Sequence, residues 1–276
     1  MSIRRTILFA SAIAVLVGSV VSCELASQVS SGPEQAPPSR PVLIAHAGGG
    51  IHGGSYSNAR EAFDLSYANG HRYFEADFCW TSDGRLVLVH DWEDSFREWF
   101  LDAGEQPSLE EFKALRMREG LTQMTLSDLY VWMLEHDDAY LVTDVKERNL
   151  DALRLIAKTS QALKERFIPQ VYRLGQFFQA RDLGFRDVIL TLYRIEETPE
   201  SVFDFATEQN LFAVTMPPQR ALGNSYAERL TKRGVFVYVH TINSLDKWDE
   251  LQRQGVTGIY TDFITPANIS KSVTTR

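Results

Sequence analysis

Val42-Leu43-Ile44-Ala45-His46, Tyr73-Phe74-Glu75-Ala76-Asp77-Phe78 and Leu86-Val87-Leu88-Val89-His90-Asp91 are three apolar runs that collect polar residues toward their carboxyl ends. Between the first and second lies Ala59–Asn69, with helical spacing and Gly70 in the usual stop position. A helix joining two strands predicts that the strands run parallel. Side chains alternate along a strand, so Glu75 and Asp77 point the same way, with Cα atoms about 6.6 Å apart. An apolar strand does not bury two carboxylates on one face without a cation, because desolvation costs several kcal/mol per ion.

The same alternation extends to the end of the chain. Further runs are Tyr140–Lys146, Ile168–Tyr172, Val188–Leu192, Leu211–Thr215, Val235–Thr241 and Gly258–Asp262. Residues 41–276 are therefore expected to form one α/β domain, a TIM-type (β/α)8 barrel, with an open doubly wound sheet as the competing architecture. These runs exceed eight strands by one, so one of them, near the short Thr81–Gly84 connection, is expected to be an excursion. Ser108 with Glu111, and Thr125 with Asp128, have the spacing of capping boxes.

The chain has 276 residues, 44% of them hydrophobic, with two Cys and a formal charge of −8. That is too apolar for disorder and too poor in Cys for a disulfide framework. The acidic balance gives no bulk attraction to nucleic acid, but leaves open a local site for a single phosphate. Arg4 and Arg5 precede the apolar run Ile7–Val21, which is shorter than the ~20 residues needed to span a bilayer. Residues 1–22 thus read as an export signal, and the Ser-, Gln-, Pro- and Gly-rich residues 23–40 as a flexible tether. Val20-Val21-Ser22-Cys23 resembles a bacterial lipoprotein cleavage box. That resemblance implies a lipid on Cys23, a periplasmic or envelope location, and no other membrane contact; the alternative is ordinary cleavage with Cys23 a bystander. Cys79, between Phe78 and Trp80, is then expected to be a buried free thiol.

Asp144 and Lys146 also share a face, in Leu141-Val142-Thr143-Asp144-Val145-Lys146. One barrel mouth would thus collect Glu75, Asp77, Asp144, His46, His90 and Lys146. Oxygen ligands suit a hard divalent cation, Mg2+ or Ca2+. The two His suit proton transfer near neutral pH, and Lys146 suits neutralising an anion. Each feature has a plainer reading: a hydrogen-bonded strand-end His, a salt-bridged carboxylate pair, Asn58 as a helix cap, Gly48–Gly50 as a tight turn. A single site accounts for all of them together.

These residues, in this order, resemble the glycerophosphodiester phosphodiesterases and their phosphatidylinositol-specific phospholipase C relatives. The likeness runs from His46 with Gly48, through Asn58, Glu75-x-Asp77, Thr81-x-Asp83-Gly84 and His90-Asp91, to Asp144-x-Lys146 and Gly255–Asp262. It implies a TIM-type barrel that cleaves a glycerophosphodiester or related head-group compound. In that reading Glu75, Asp77 and Asp144 hold the metal, His46 and His90 are the acid–base pair, and Lys146 lies near the phosphate. Asn58 and His240 are expected to line the substrate pocket. The chain departs from the family at Ala47, where Arg is common, at Ser57, where Glu precedes Asn, and at His240-Thr241, in place of Trp-Thr. Arg194 is either a replacement phosphate ligand or a solvated surface side chain. Three rival readings are a lipoprotein that binds phosphorylated head groups without turnover, a phospholipase C-like enzyme acting on intact phospholipid, and a glycosidase using the carboxylate pair.

Overall fold

The computed structural model describes residues 40–158, 161–222 and 225–274, so the segment read as an export signal, Cys23 and nearly all of the expected tether lie outside the described residues. Among the described residues nine strands form: β1 Leu43–Ala45, β2 Tyr73–Trp80, β3 Leu86–Leu88, β4 Tyr140–Asp144, β5 Phe167–Val171, β6 Ile189–Thr191, β7 Ala213–Met216, β8 Val237–Val239 and β9 Gly258–Thr261. Eight of them make a closed parallel ring in the order β1-β9-β8-β7-β6-β5-β4-β2, shut by the pairing of Ala45 with Phe74. The ring decides for the TIM-type barrel over the open sheet. Among the described residues no helix is long and apolar enough to cross a membrane.

The ninth strand is the expected excursion. The β2 strand overruns the barrel rim, turns at Thr81–Gly84, and pairs antiparallel with β3, Phe78 opposite Leu88. The Thr81 hydroxyl donates to Asp83 at 2.6 Å, and Gly84 takes the left-handed φ of +75° that the turn requires. Helices Asp94–Trp99 and Leu109–Ala114 extend this side layer around Val87, Phe96, Trp99 and Phe112 before the helix Leu126–Glu135 leads into β4. The hairpin has a functional consequence, because its return strand delivers His90 to the barrel mouth. Both capping boxes form as their spacing predicts, and Gly70, at φ +96°, ends the helix Arg60–Ala68.

Strand alternation separates two apolar zones. Phe74, Ala76, Phe78 and Leu141 face the helices, whereas Ile44, Val142, Ile168, Ile189, Tyr238 and Tyr260 fill the barrel interior. Along β2 and β4 the interior layers are Tyr73 beside Tyr140, Glu75 beside Val142, and Asp77 beside Asp144. The first layer is a pair of stacked rings 4.8 Å apart. Apolar filling at the amino end thus gives way to carboxylates at the carboxyl end.

Candidate active site

Glu75, Asp77 and Asp144 are buried, and one oxygen from each lies within 4.8 Å of the others. Parallel register sets this cluster, since Asp77 and Asp144 are direct partners across β2 and β4. Burial, then repulsion from Asp77 and Asp144, drives Glu75 well above the ordinary carboxylate range. Asp144 is raised chiefly by burial as well. Burial also pushes Asp77 upward, but Lys146, His90, His46 and the Asn58 amide outweigh it and hold Asp77 low. Lys146 answers in kind: burial disfavours its charge, yet the three carboxylates raise its pKa. Its Nζ lies 3.3 Å from Asp77 and 4.0 Å from Asp144, and donates to the His90 carbonyl at 3.1 Å.

One ammonium does not neutralise three buried carboxylates, and Oε1 of Glu75 is buried without a hydrogen-bond partner. An all-oxygen donor set with an orphaned acceptor fits a hard divalent cation. The residues present therefore suit such an ion.

Two His–carboxylate pairs flank the cluster. His46, at the end of β1, bonds through Nδ1 to Asp262 at 2.8 Å, and Asn243 donates to the other Asp262 oxygen at 2.6 Å. His90 bonds through Nδ1 to Asp91 at 2.6 Å, and its Nε2 lies 4.0 Å from Asp77. The backbone amides of Glu93 and Ser95 donate to the remaining Asp91 oxygen, and these bonds with that from His90 hold Asp91 at about 2 against the effect of burial. With Nδ1 engaged in each ring, Nε2 is the atom left to exchange protons with a ligand. Tyr56 stands between the imidazoles, its ring 4.7 Å from His46 and 4.4 Å from His90.

The loop after β1 explains the glycines and Ala47. At Gly48 and Gly49 φ is positive, and a Cβ would lie 2.6 Å from the Phe63 ring and 2.0 Å from the Ser66 hydroxyl. Only glycine lets the backbone pass so close to the helix Arg60–Ala68. The amide of Ala47 donates to Glu75 at 2.8 Å. Ser57 is buried and accepts from the amide of Ala59.

Asn58 is not the helix cap; Ala59 takes that position. It is fully buried beneath Asp77, donating to its carboxylate at 3.1 Å and accepting from its backbone amide at 3.0 Å. The structure thus places Asn58 behind Asp77 rather than on open pocket surface. Asn58→Ala removes both bonds and leaves a non-Gly residue at φ +50°. We expect a loss of about 2–4 kcal/mol, read as a lower urea midpoint at unchanged slope.

His240 packs between Tyr193 and Tyr260, with Nδ1 at 3.0 Å from the Thr215 hydroxyl, and burial lowers its pKa to about 4. Cys79 is free and half-buried, and burial pushes its thiol up to about 12. Arg194 is exposed, yet donates to the Lys146 carbonyl at 2.9 Å.

Several neighbours of the site carry no assignment from sequence. The Tyr172 and Tyr193 hydroxyls both donate to Asp144. Asp91 and Asp262 lie inside the quoted motifs, but nothing local says that they orient imidazoles. Tyr172 does carry a signal, a polar-tipped residue ending a strand run, as His46 does. Tyr56 carries none, because its position depends on a left-handed backbone at φ +61°.

Comparison with known proteins bears on the family and the fold. The model of the glycerophosphoryl diester phosphodiesterase family matches residues 48–198, more than half of the chain. A glycerophosphodiester phosphodiesterase from Thermotoga maritima is similar in structure, with a TM-score of 0.64 and 22% identity over 86% of this chain and 99% of that one. One from Parabacteroides distasonis gives 0.66 and 20%, over 85% and 97%. A phosphodiesterase from Oleispira antarctica, in complex with its product sn-glycerol-3-phosphate, gives 0.64 and 17%, over 85% and 97%.

Proposed function

Because the chain belongs to the glycerophosphoryl diester phosphodiesterase family, and is accordingly a phosphoric diester hydrolase, we propose that it cleaves glycerophosphodiesters by cation-assisted, two-His acid–base catalysis. The observation that carries this reading is the pair of oriented imidazoles, His46–Asp262 and His90–Asp91, flanking one acidic cluster. A module that only binds phosphate has no use for two proton carriers, and a glycosidase has no role for them.

Glu75, Asp77 and Asp144 would hold the cation, which when bound neutralises charge developing on the phosphoryl oxygens. His46, the more deeply buried of the two, takes a proton from the attacking water as the new P–O bond forms. Its Asp262 stabilises the imidazolium that results. The P–O bond to the head-group alcohol breaks, and His90, 28% exposed at the mouth, protonates the departing alkoxide. Lys146, within hydrogen-bonding reach of both Asp77 and His90, adds positive charge at the phosphate; the amide of Ala47 is spent on Glu75 and supplies none. The product bound by the Oleispira antarctica phosphodiesterase supports release of glycerol 3-phosphate. Export through residues 1–22 and a lipid on Cys23 belong to the same proposal, and place the reaction at the cell envelope.

The test is release of glycerol 3-phosphate from a panel of glycerophosphodiesters, with Mg2+, Ca2+ or chelator. Turnover abolished by chelator and restored by a divalent cation is expected; undiminished turnover in chelator would overturn the cation's part. Thermal unfolding gives a second readout. A cation at 100 times its Kd stabilises the fold by about 2.7 kcal/mol, so Tm should rise by roughly 5–10 °C. Scanning calorimetry with and without the ion measures this directly.

A further inference from the structure

A second concavity, about 490 Å3 in volume, opens beside Lys146 at the carboxyl ends of β4, β5 and β6. Four arginines line it from three separate connections: Arg148 and Arg154 after β4, Arg173 after β5 and Arg194 after β6. Lys146 and Tyr172 form its wall toward the acidic cluster, and the Tyr172 hydroxyl donates to Asp144. The cleft therefore adjoins the acidic cluster across these two side chains.

Its charge is opposite to that of the molecule. With Lys146, five cationic side chains face two carboxylates, Asp151 and Glu196, in a chain of net charge −8. Arg148 and Arg154 share Asp151 at 3.2 and 2.8 Å, and Arg173 grips Glu196 with both terminal guanidinium nitrogens at 2.5 and 2.6 Å. The described partners of Arg194 are the Lys146 carbonyl and the Tyr172 ring. These pairs are exposed to solvent and screened by salt, so a phosphate that offers bidentate acceptors competes with them for the guanidinium groups. The helix Asn149–Ala157 also begins in this cleft, with Arg148 at its N-cap and no side chain capping it. Its first amides and its dipole add to the attraction for an anion.

We propose that this cleft is a subsite for a phosphomonoester carried by the head-group alcohol, so that the preferred substrate is a glycerophosphodiester whose leaving alcohol is itself phosphorylated. The inference rests on the hydrolytic reading above and narrows its substrate class. Placement agrees with the chemistry, since Lys146 connects the cleft to His90, the residue assigned to protonate the leaving alcohol.

Two substrates that differ by one group make the test: glycerophosphoglycerol, and the same diester with a phosphate on its terminal hydroxyl. The phosphorylated diester should show a kcat/KM at least about tenfold higher, and rising salt should erode that preference. Arg194→Ala and Arg154→Ala should each shrink the ratio of the two kcat/KM values several-fold. A ratio of one or less in the wild type, or variants that slow both substrates equally, would overturn the subsite. Should the wild type hydrolyse neither diester, calorimetry with the phosphorylated one decides separately. Tighter binding by wild type than by Arg194→Ala would keep the subsite and remove the hydrolytic reading, whereas equal binding removes the subsite.

Discussion

Asp77→Asn should lose divalent-cation binding and reduce turnover by about 10³-fold or more, while the barrel still folds. Asp77 is the member of the acidic cluster held ionised against burial, by Lys146, His90, His46 and the Asn58 amide. Asn preserves its size and still accepts the bond from Asn58, so packing around β2 is retained. What is lost is the charge that pairs with Lys146 and, in the proposed site, would complete the cation's donor set. Several kcal/mol of transition-state charge stabilisation are at stake, and about 4 kcal/mol corresponds to 10³ in rate. Calorimetric titration with Mg2+ or Ca2+ is the decisive measurement, because it does not depend on the substrate chosen. An unchanged cation affinity in a folded variant would remove Asp77 from the ligand set.

Replacing either imidazole should have the next largest effect. General acid–base groups contribute about 10²–10⁴ in rate, so His46→Asn and His90→Asn should each lower kcat by that range with cation affinity little changed. The two losses should not add in the double variant, because the residues act as a unit. A nitrophenolate leaving group needs little protonation, so a nitrophenyl diester should rescue the variant that lost the acid. From the exposure of His90 and its contact with Lys146, rescue is expected for His90→Asn and not for His46→Asn. Rescue of the opposite variant would exchange the roles, and full turnover in both would end the two-His mechanism.

Much of this protein is written locally. Strand runs, capping boxes and the stop at Gly70 depend on preferences acting over a few residues, and each appears where the sequence places it. Glu75 and Asp77 share a face because a strand alternates, whatever surrounds it. The polar strand ends His46, His90, Asp144 and Lys146 were legible for the same reason, and so was the surplus of one strand over eight. Closure was not, because an alternation of strands and helices serves an open sheet as well as a ring. It is decided when β1 meets β2 around an interior filled by Ile44, Val142, Ile168 and Tyr238, a packing question for the whole chain. The pairing of β1 with β9 sets His46 against Asp262, 216 residues away, and the order β4-β5-β6 brings Tyr172 and Tyr193 onto Asp144. Arg148, Arg154 and Arg173 each look like an ordinary solvated arginine in sequence, and Arg194 stands open there between that and a phosphate ligand. Only the neighbouring order of β4, β5 and β6 makes them one cationic cleft, because electrostatic focusing depends on distance in space rather than along the chain.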